Sequence, residues 1–208
     1  MENDIKQKVR LYTAADFTEQ RWKNGRGSTI ELAKGSDYAP ADKHSWRLSI
    51  ATLTENGSYS NFCGFQRTQV MLEGDSVQLD FASAKQIQLH KMSQASFGGD
   101  EAVSCALASK RPATMFNLMT ARDYLQHSVE IVSDCGPLAD DSSAADLLFV
   151  YALQAGLTVQ VAGHSQRLQA GQLLKINHST ESQVSLAATD SRLTETELAI
   201  VIKLYRVN

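Results

Sequence analysis

Apolar and polar residues alternate along most of this chain. In residues 46–53, WRLSIATL, Trp46, Leu48 and Ile50 share one face and Arg47, Ser49 and Ala51 the other, the period of a β-strand. Residues 28–32 behave likewise, with Ile30 and Leu32 opposite Thr29 and Glu31. Val77, Leu79 and Phe81 alternate with Gln78 and Asp80, and residues 114–119 set Phe116 and Leu118 against Asn117 and Met119. Similar runs predict strands over 9–12, 68–72, 86–90, 102–108, 128–132, 147–155, 157–161, 173–176, 183–187 and 198–207. Turn signals separate them: Asn24-Gly25, Asn56-Gly57, Glu73-Gly74, Gly98-Gly99, Gly136-Pro137, Gly156 and Ala170-Gly171. Residues 14–19 read as a helical turn or loop, and helical periodicity is otherwise scarce. Short strands recurring about every 8–12 residues predict an all-β sandwich or barrel. Glu73-Gly74 and Ala170-Gly171 each stand between two strands, which points to an internal repeat with one small barrel per half.

Composition narrows the classes. A chain of 208 residues holds one large or two small domains, and 43% hydrophobic residues can bury a sizeable core. The net charge of -3, without a run of Lys or Arg, gives no electrostatic footprint for nucleic acid. No apolar stretch is long enough to cross a bilayer, and residues 1–10 lack the apolar core of a signal peptide, so a cytoplasmic location is expected. Cys63, Cys105 and Cys135 are odd in number and widely spaced, unlike a disulfide framework.

The chemistry concentrates around residues 22–32, WKNGRGSTIEL, where a glycine-rich turn feeds a strand with a hydroxyl and a carboxylate on one face. In a barrel one face of every strand points inward. If the polar faces do so, Thr29, Glu31, Arg47, Ser49 and Asn117 share a pocket, with Arg67 or Arg122 at its rim. A guanidinium there can grip a carboxylate through two parallel hydrogen bonds. Two readings of Glu31 and Arg47 stand at this point, a ligand site and a structural ion pair. Tyr59, Phe62 and Phe65 form either a stacking wall or ordinary packing. The five histidines, His44, His90, His127, His164 and His178, are scattered without metal-ligand spacing, so neither metal nor cofactor is expected. No G-x-S-x-G elbow occurs, and Gly25 and Gly27 precede no helix that would cradle a phosphate. No catalytic residue is assigned.

Four segments together, WKNGRGSTIEL, WRLSIA, GSYSNFCGFQRTQVMLEG and FNLMTAR, resemble the HutD/Ves family in order and spacing over the first two thirds of the chain. The last third is similar mainly in its β-rich pattern. The resemblance implies a bicupin, two jelly-roll-type β-barrels packed together, with residues 1–125 as an N-terminal barrel holding the pocket and 126–208 as a smaller cupin-like barrel. It also implies a cytoplasmic bacterial protein without the metal-binding cupin histidines, pairing into dimers through sheet edges. One branch of the family is encoded with histidine-utilisation enzymes and another is linked to stress responses. The pocket residues it implies are Asn24, Thr29, Glu31, Arg47, Ser49, Ser60, Phe62, Arg67, Asn117, Met119 and Arg122. Arg26 stands where the family usually has glycine, Cys63 where it has proline, and Ala121 intervenes before Arg122. The expected function is metal-independent binding of a small polar or anionic, carboxylate-bearing metabolite, linked to histidine utilisation or its regulation, with no nucleic-acid or membrane partner. Two other readings are an isomerase- or lyase-type enzyme using Glu31 as acid/base, and an interaction protein with a vestigial pocket.

Overall fold

The computed structural model describes residues 9–138, 145–177, 183–188 and 197–207. They form nineteen strands, joined by turns and bends. No helix long and apolar enough to cross a membrane occurs among them.

The chain divides into two compact units. One spans residues 17–126, and the other gathers residues 9–16 with the described part of 127–206. The second unit begins with β1 (Val9–Tyr12). In the first unit a six-stranded sheet runs in the order β2 (Thr18–Arg21), β3 (Gly27–Gly35), β4 (Trp46–Leu53), β11 (Ala113–Ala121), β6 (Phe65–Glu73) and β9 (Gln94–Gly98). A four-stranded sheet runs β5 (Gly57–Ser58), β10 (Val103–Leu107), β7 (Val77–Phe81) and β8 (Gln86–Leu89). The pairs nest: β4 lies beside β11, β5 beside β10, β6 beside β9 and β7 beside β8. This nesting is jelly-roll winding, and it brings residues some 70 positions apart in sequence to one sheet.

The second unit repeats it. Its sheets run β1, β17 (Leu173–Asn177), β14 (Leu147–Ala152), β19 (Ala199–Arg206), β12 (Leu125–Val132), and β13 (Gly136–Pro137), β18 (Val184–Ala188), β15 (Leu157–Val161), β16 (His164–Leu168). Here β12 lies beside β19, β13 beside β18, β14 beside β17 and β15 beside β16. The all-β, two-jelly-roll architecture expected from sequence is therefore present, with two differences of detail. The topological partner of Gly74 (φ 116°), at the β6–β7 turn, is Gly156 (φ 87°) at the β14–β15 turn. Ala170-Gly171 lies between β16 and β17 instead. Turn chemistry recurs at every hairpin and so does not mark strand order. The other difference is β1, which falls outside the expected 1–125 unit. It pairs with β17, Val9 opposite Ile176 and Leu11 opposite Leu174, and its apolar residues pack on the second core. An edge strand needs only a free ladder, and sequence proximity does not choose which one.

The two interiors differ. In the second unit Leu148, Val150, Leu157, Val159, Leu174, Ile176, Val184, Leu186 and Val201 fill the space between the sheets. Among its described residues Lys203 is a buried cation, 2% exposed, with Nζ 3.7 Å from Glu130 Oε2. In the first unit Met71, Val77, Leu79, Phe81, Leu89, Val103, Ala113 and Met115 form the core, and the remaining interior also holds the buried polar side chains Ser49, Arg67, Gln69 and Asn117.

His127 on β12 is half-buried, and burial pushes its imidazole pKa down to about 4. The ordinary value is about 6.5. Between those values the unfolded chain binds the extra proton, so stability falls as pH drops from about 6.5 toward 4. His127→Gln is expected to remove that slope, on the order of 1–3 kcal/mol after allowing for partial exposure. Denaturant midpoints at neutral and mildly acidic pH measure it; an unchanged acid slope in the variant contradicts the assignment.

Candidate functional site

The interior of the first unit changes character along its strands. On one face, β4 runs Leu53, Ala51, Ser49, Arg47; β11 runs Ala113, Met115, Asn117, Met119; β6 runs Met71, Gln69, Arg67. Period two keeps each set on one side. Antiparallel register aligns the polar members into two rows, Ser49–Asn117–Gln69 and Arg47–Met119–Arg67. Toward the far ends Ala113 and Met71 close the sandwich, and the polar ends together with Ala51, Leu53 and Met115 line a cavity of about 450 Å³. Its wall is completed by Trp22, Asn24 and Thr29 from the β2–β3 hairpin and by Tyr59, Ser60 and Phe62 from the segment after β5.

Each wall segment is held locally. In the hairpin the Gly25 N–H donates to the Trp22 carbonyl (3.0 Å), and Asn24 Oδ1 accepts from the Arg26 N–H (3.0 Å). Gly25 takes φ 72°, the left-handed conformation that Asn-Gly signals. Trp22 Nε1 donates to Thr29 Oγ1 at 2.8 Å, which fixes the indole against the strand. Arg26 reaches away from the cavity to the next turn, with Nε 3.5 Å from Glu55 and Nη1 donating to the Asn56 carbonyl (3.4 Å). Across the cavity the Phe62 N–H donates to the Gly99 carbonyl and the Gly99 N–H to the Phe65 carbonyl, both at 2.7 Å.

Arg67 dominates the interior. It is 7% exposed, and its guanidinium lies 5.2, 5.3 and 5.0 Å from the ring centroids of Tyr59, Phe62 and Phe97. Burial lowers its pKa, Tyr59 opposes that, and Arg47 adds to it. The group nonetheless stays cationic, since a guanidinium does not deprotonate in proteins. Burial and the nearby Cys105 thiol push the Tyr59 hydroxyl well above its ordinary range, so it stays protonated. Among the described residues three buried side-chain polar atoms lack a hydrogen-bond partner: Arg67 Nε, Gln69 Oε1 and the Tyr59 hydroxyl. All three belong to residues lining this one cavity. Gln69 and Cys105 lie near the Tyr59 hydroxyl without closing hydrogen-bond geometry. The lining also carries Arg21, Lys23 and Arg47 and no Asp or Glu, in a chain whose net charge is -3. The lining is therefore electropositive.

The model of the HutD family matches residues 14–194. The chain belongs to the HutD family. A relative, the 21.2 kDa protein in the hutC 3' region of Pseudomonas putida, is 30% identical over 174 residues, covering 83% of this chain and 89% of its own. A conserved protein of Pseudomonas aeruginosa PAO1 superposes with a TM-score of 0.81 at 29% identity, covering 95% and 99% of the two chains. HutD of Pseudomonas fluorescens SBW25, solved in a formate condition, gives 0.78 at 25% identity and covers 96% and 100%.

Of the residues expected in the pocket of this HutD chain, Asn24, Thr29, Arg47, Ser49, Ser60, Phe62, Arg67, Asn117 and Met119 line one cavity. Glu31 and Arg122 do not. Glu31 has the expected parity, but the register of β3 shifts between Glu31 and Ala33. That bulge brings Lys34 onto the face of Glu31. Glu31 then accepts from Lys34 Nζ at 2.9 Å and from Arg47 Nε at 2.8 Å. Burial raises its pKa, and these two hydrogen bonds outweigh burial and hold the carboxyl below its ordinary range. A carboxylate kept ionised by two cations is a poor acid/base group at neutral pH, and its geometry is that of a structural pair. Arg122 follows the last residue of β11 and donates through Nη2 to Asp100 Oδ2 at 2.9 Å, on a separate surface with Gln66, Ser96 and Glu101. Phe65 opens β6 and is absent from the lining.

Gln69 and Phe97 were missed by sequence reasoning, and Tyr59 was read there only as packing or wall. Gln69 shares parity with Arg67 two residues away, a usable signal. Phe97 carries none, because only the β6–β9 pairing sets it opposite Arg67. Among the described residues no group of three or more His, Cys, Asp or Glu is placed to hold a metal ion; His178 lies outside them.

Proposed function

We propose that this chain binds a small carboxylate-bearing metabolite in the cavity of its first jelly roll, without a metal, and that the ligand belongs to histidine utilisation or its control. One observation carries the reading: Arg67 is a buried guanidinium whose Nε has no protein partner and whose surroundings offer no carboxylate. A buried charge with an unmet donor and no counter-charge is costly unless a ligand supplies one. The histidine-pathway link draws support from the name of the Pseudomonas putida relative. A cytoplasmic location belongs to the same proposal, in keeping with three free cysteines, two of them exposed.

Titration calorimetry with formylated and imidazole-bearing acids tests it. Saturable binding of one molecule per chain is expected for at least one of them, and no heat from any acid overturns the reading. Arg21 and Lys23 are exposed at the mouth, where charge steers a ligand more than it holds it. Replacing both with Ser is therefore expected to slow association about two- to tenfold at low salt. The difference should shrink at high salt, and a salt-independent loss of affinity contradicts the steering role.

A further inference from the structure

The orientation of one buried amide follows from a main-chain atom. The Met115 carbonyl can only accept, and Asn117 Nδ2 donates to it at 3.1 Å. Asn117 therefore turns Oδ1 toward Gln69, where it accepts from Gln69 Nε2 at 2.6 Å. This spends the nearest donor of Gln69 and leaves Oε1, which has no partner. Gln69 is 3% exposed and lines the cavity, two residues from Arg67 on the same face of β6. Two residues along a strand span about 7 Å.

The unmet groups differ in what they ask for. Arg67 Nε can only donate, Gln69 Oε1 can only accept, and the Tyr59 hydroxyl can do either. We propose that Gln69 is a specificity-determining residue: it accepts a hydrogen bond from the ligand, so the cavity selects acids that carry an N–H or O–H group within a few atoms of the carboxylate. This rests on the anion-binding reading of Arg67 and deepens it. Oε1 exposes almost no surface, so a small rotation of the Gln69 amide has to present it to a ligand donor, and little solvent is stripped from the protein in making that bond. Sites built to meet a ligand's polar group discriminate strongly against analogues that lack it. Met115 and Asn117 act here as positioning groups: they fix which end of the Gln69 amide is left over.

Matched acids that differ in the donor alone test this on the wild-type chain: N-acetylglycine against O-acetylglycolate, and the hydroxybenzoates against the corresponding fluorobenzoates. Calorimetry is expected to show at least one donor-bearing acid binding about tenfold or more tightly than its partner. Gln69→Met keeps the side chain's length and removes the acceptor. Because it also removes the donor to Asn117 Oδ1, it can shift both affinities, so the readout is their ratio, which is expected to fall to within about twofold. Equal binding of both members in every pair by the wild type overturns the proposal while leaving the anion site standing; it is also the result if the Tyr59 hydroxyl turns to satisfy Gln69. Failure of every acid to bind overturns the proposal and the anion site together. Discrimination that survives in Gln69→Met removes Gln69 from the role. If that variant does not fold, the wild-type comparison still decides.

Discussion

Arg67→Met is expected to abolish carboxylate binding while leaving the fold as stable as wild type or more so. Truncating one partner of a desolvated charge pair costs about 2–5 kcal/mol, a loss of roughly thirtyfold to several thousandfold in affinity. The sign on stability follows from comparing two terms. Three aromatic rings about 5 Å from the guanidinium attract it, each contributing roughly 1 kcal/mol when the cation is partly desolvated. Against this stands the penalty for withdrawing a charge to 7% exposure with Nε unpartnered, several kcal/mol even after relaxation. The second guanidinium, Arg47, adds repulsion. Methionine fills similar space, packs well on aromatic rings and carries no charge. Thermal unfolding of the ligand-free variant should give a midpoint at or above that of wild type, and calorimetry should give no binding. A clearly lowered midpoint would mean that the cage around Arg67 serves the fold. A residue that weakens the empty protein and is needed by the loaded one is held for its ligand, and the two measurements together separate these cases.

How far this site can be read from sequence depends on which interactions set each residue. Arg47 and Ser49, and Asn117 and Met119, are legible because period-two alternation does not depend on the fold. Once β4 and β11 pair, both couples must face the same side. Nothing local announces that pairing, which joins residues some 70 positions apart, and the family resemblance supplied it. Glu31 shows the limit of parity. Its face was right, but the bulge after it added Lys34 and changed a pocket carboxylate into the centre of an ion-pair cluster. Arg122 shows another. The inward residues of β11 are odd-numbered through Ala121, so position 122 begins the turn and its side chain leaves for Asp100. Gln69 was hidden for a different reason. In TQVML it reads as the polar face of an amphipathic strand, whereas both faces of β6 are buried there, and a buried amide then needs partners.

Gly27→Ala should cost far more than Gly25→Ala, although Asn24-Gly25 is the stronger turn signal in the sequence. Gly25 sits at φ 72°, and a β-carbon there meets nothing within 4 Å, so alanine suffers only the left-handed backbone penalty, about 1 kcal/mol. At Gly27 a β-carbon would drive into the Thr52 carbonyl oxygen, and it would stand 3.1 and 3.2 Å from two atoms of the Trp22 ring. Neither neighbour yields easily. Thr52 lies inside β4, opposite Ser28, and Trp22 is held by its hydrogen bond to Thr29 and by its N–H to the Gly27 carbonyl (3.0 Å). Overpacking of this kind costs about 1–3 kcal/mol, and a main-chain obstacle puts Gly27→Ala at or above the upper end. Relief requires β3 to move off β4 or the indole to swing, and both shift cavity wall, since Trp22, Thr29 and Ala51 line it. Loss of ligand affinity is therefore expected along with the lower denaturant midpoint, whereas Gly25→Ala should leave affinity within about twofold of wild type. Equal stability of the two variants, or Gly25→Ala as the worse, would mean that the hairpin is not pinned to β4 through Gly27. With the larger cost at Gly27, the second glycine of NGRG is the one that sets the cavity wall, because it lets the strand, the indole and the neighbouring carbonyl meet.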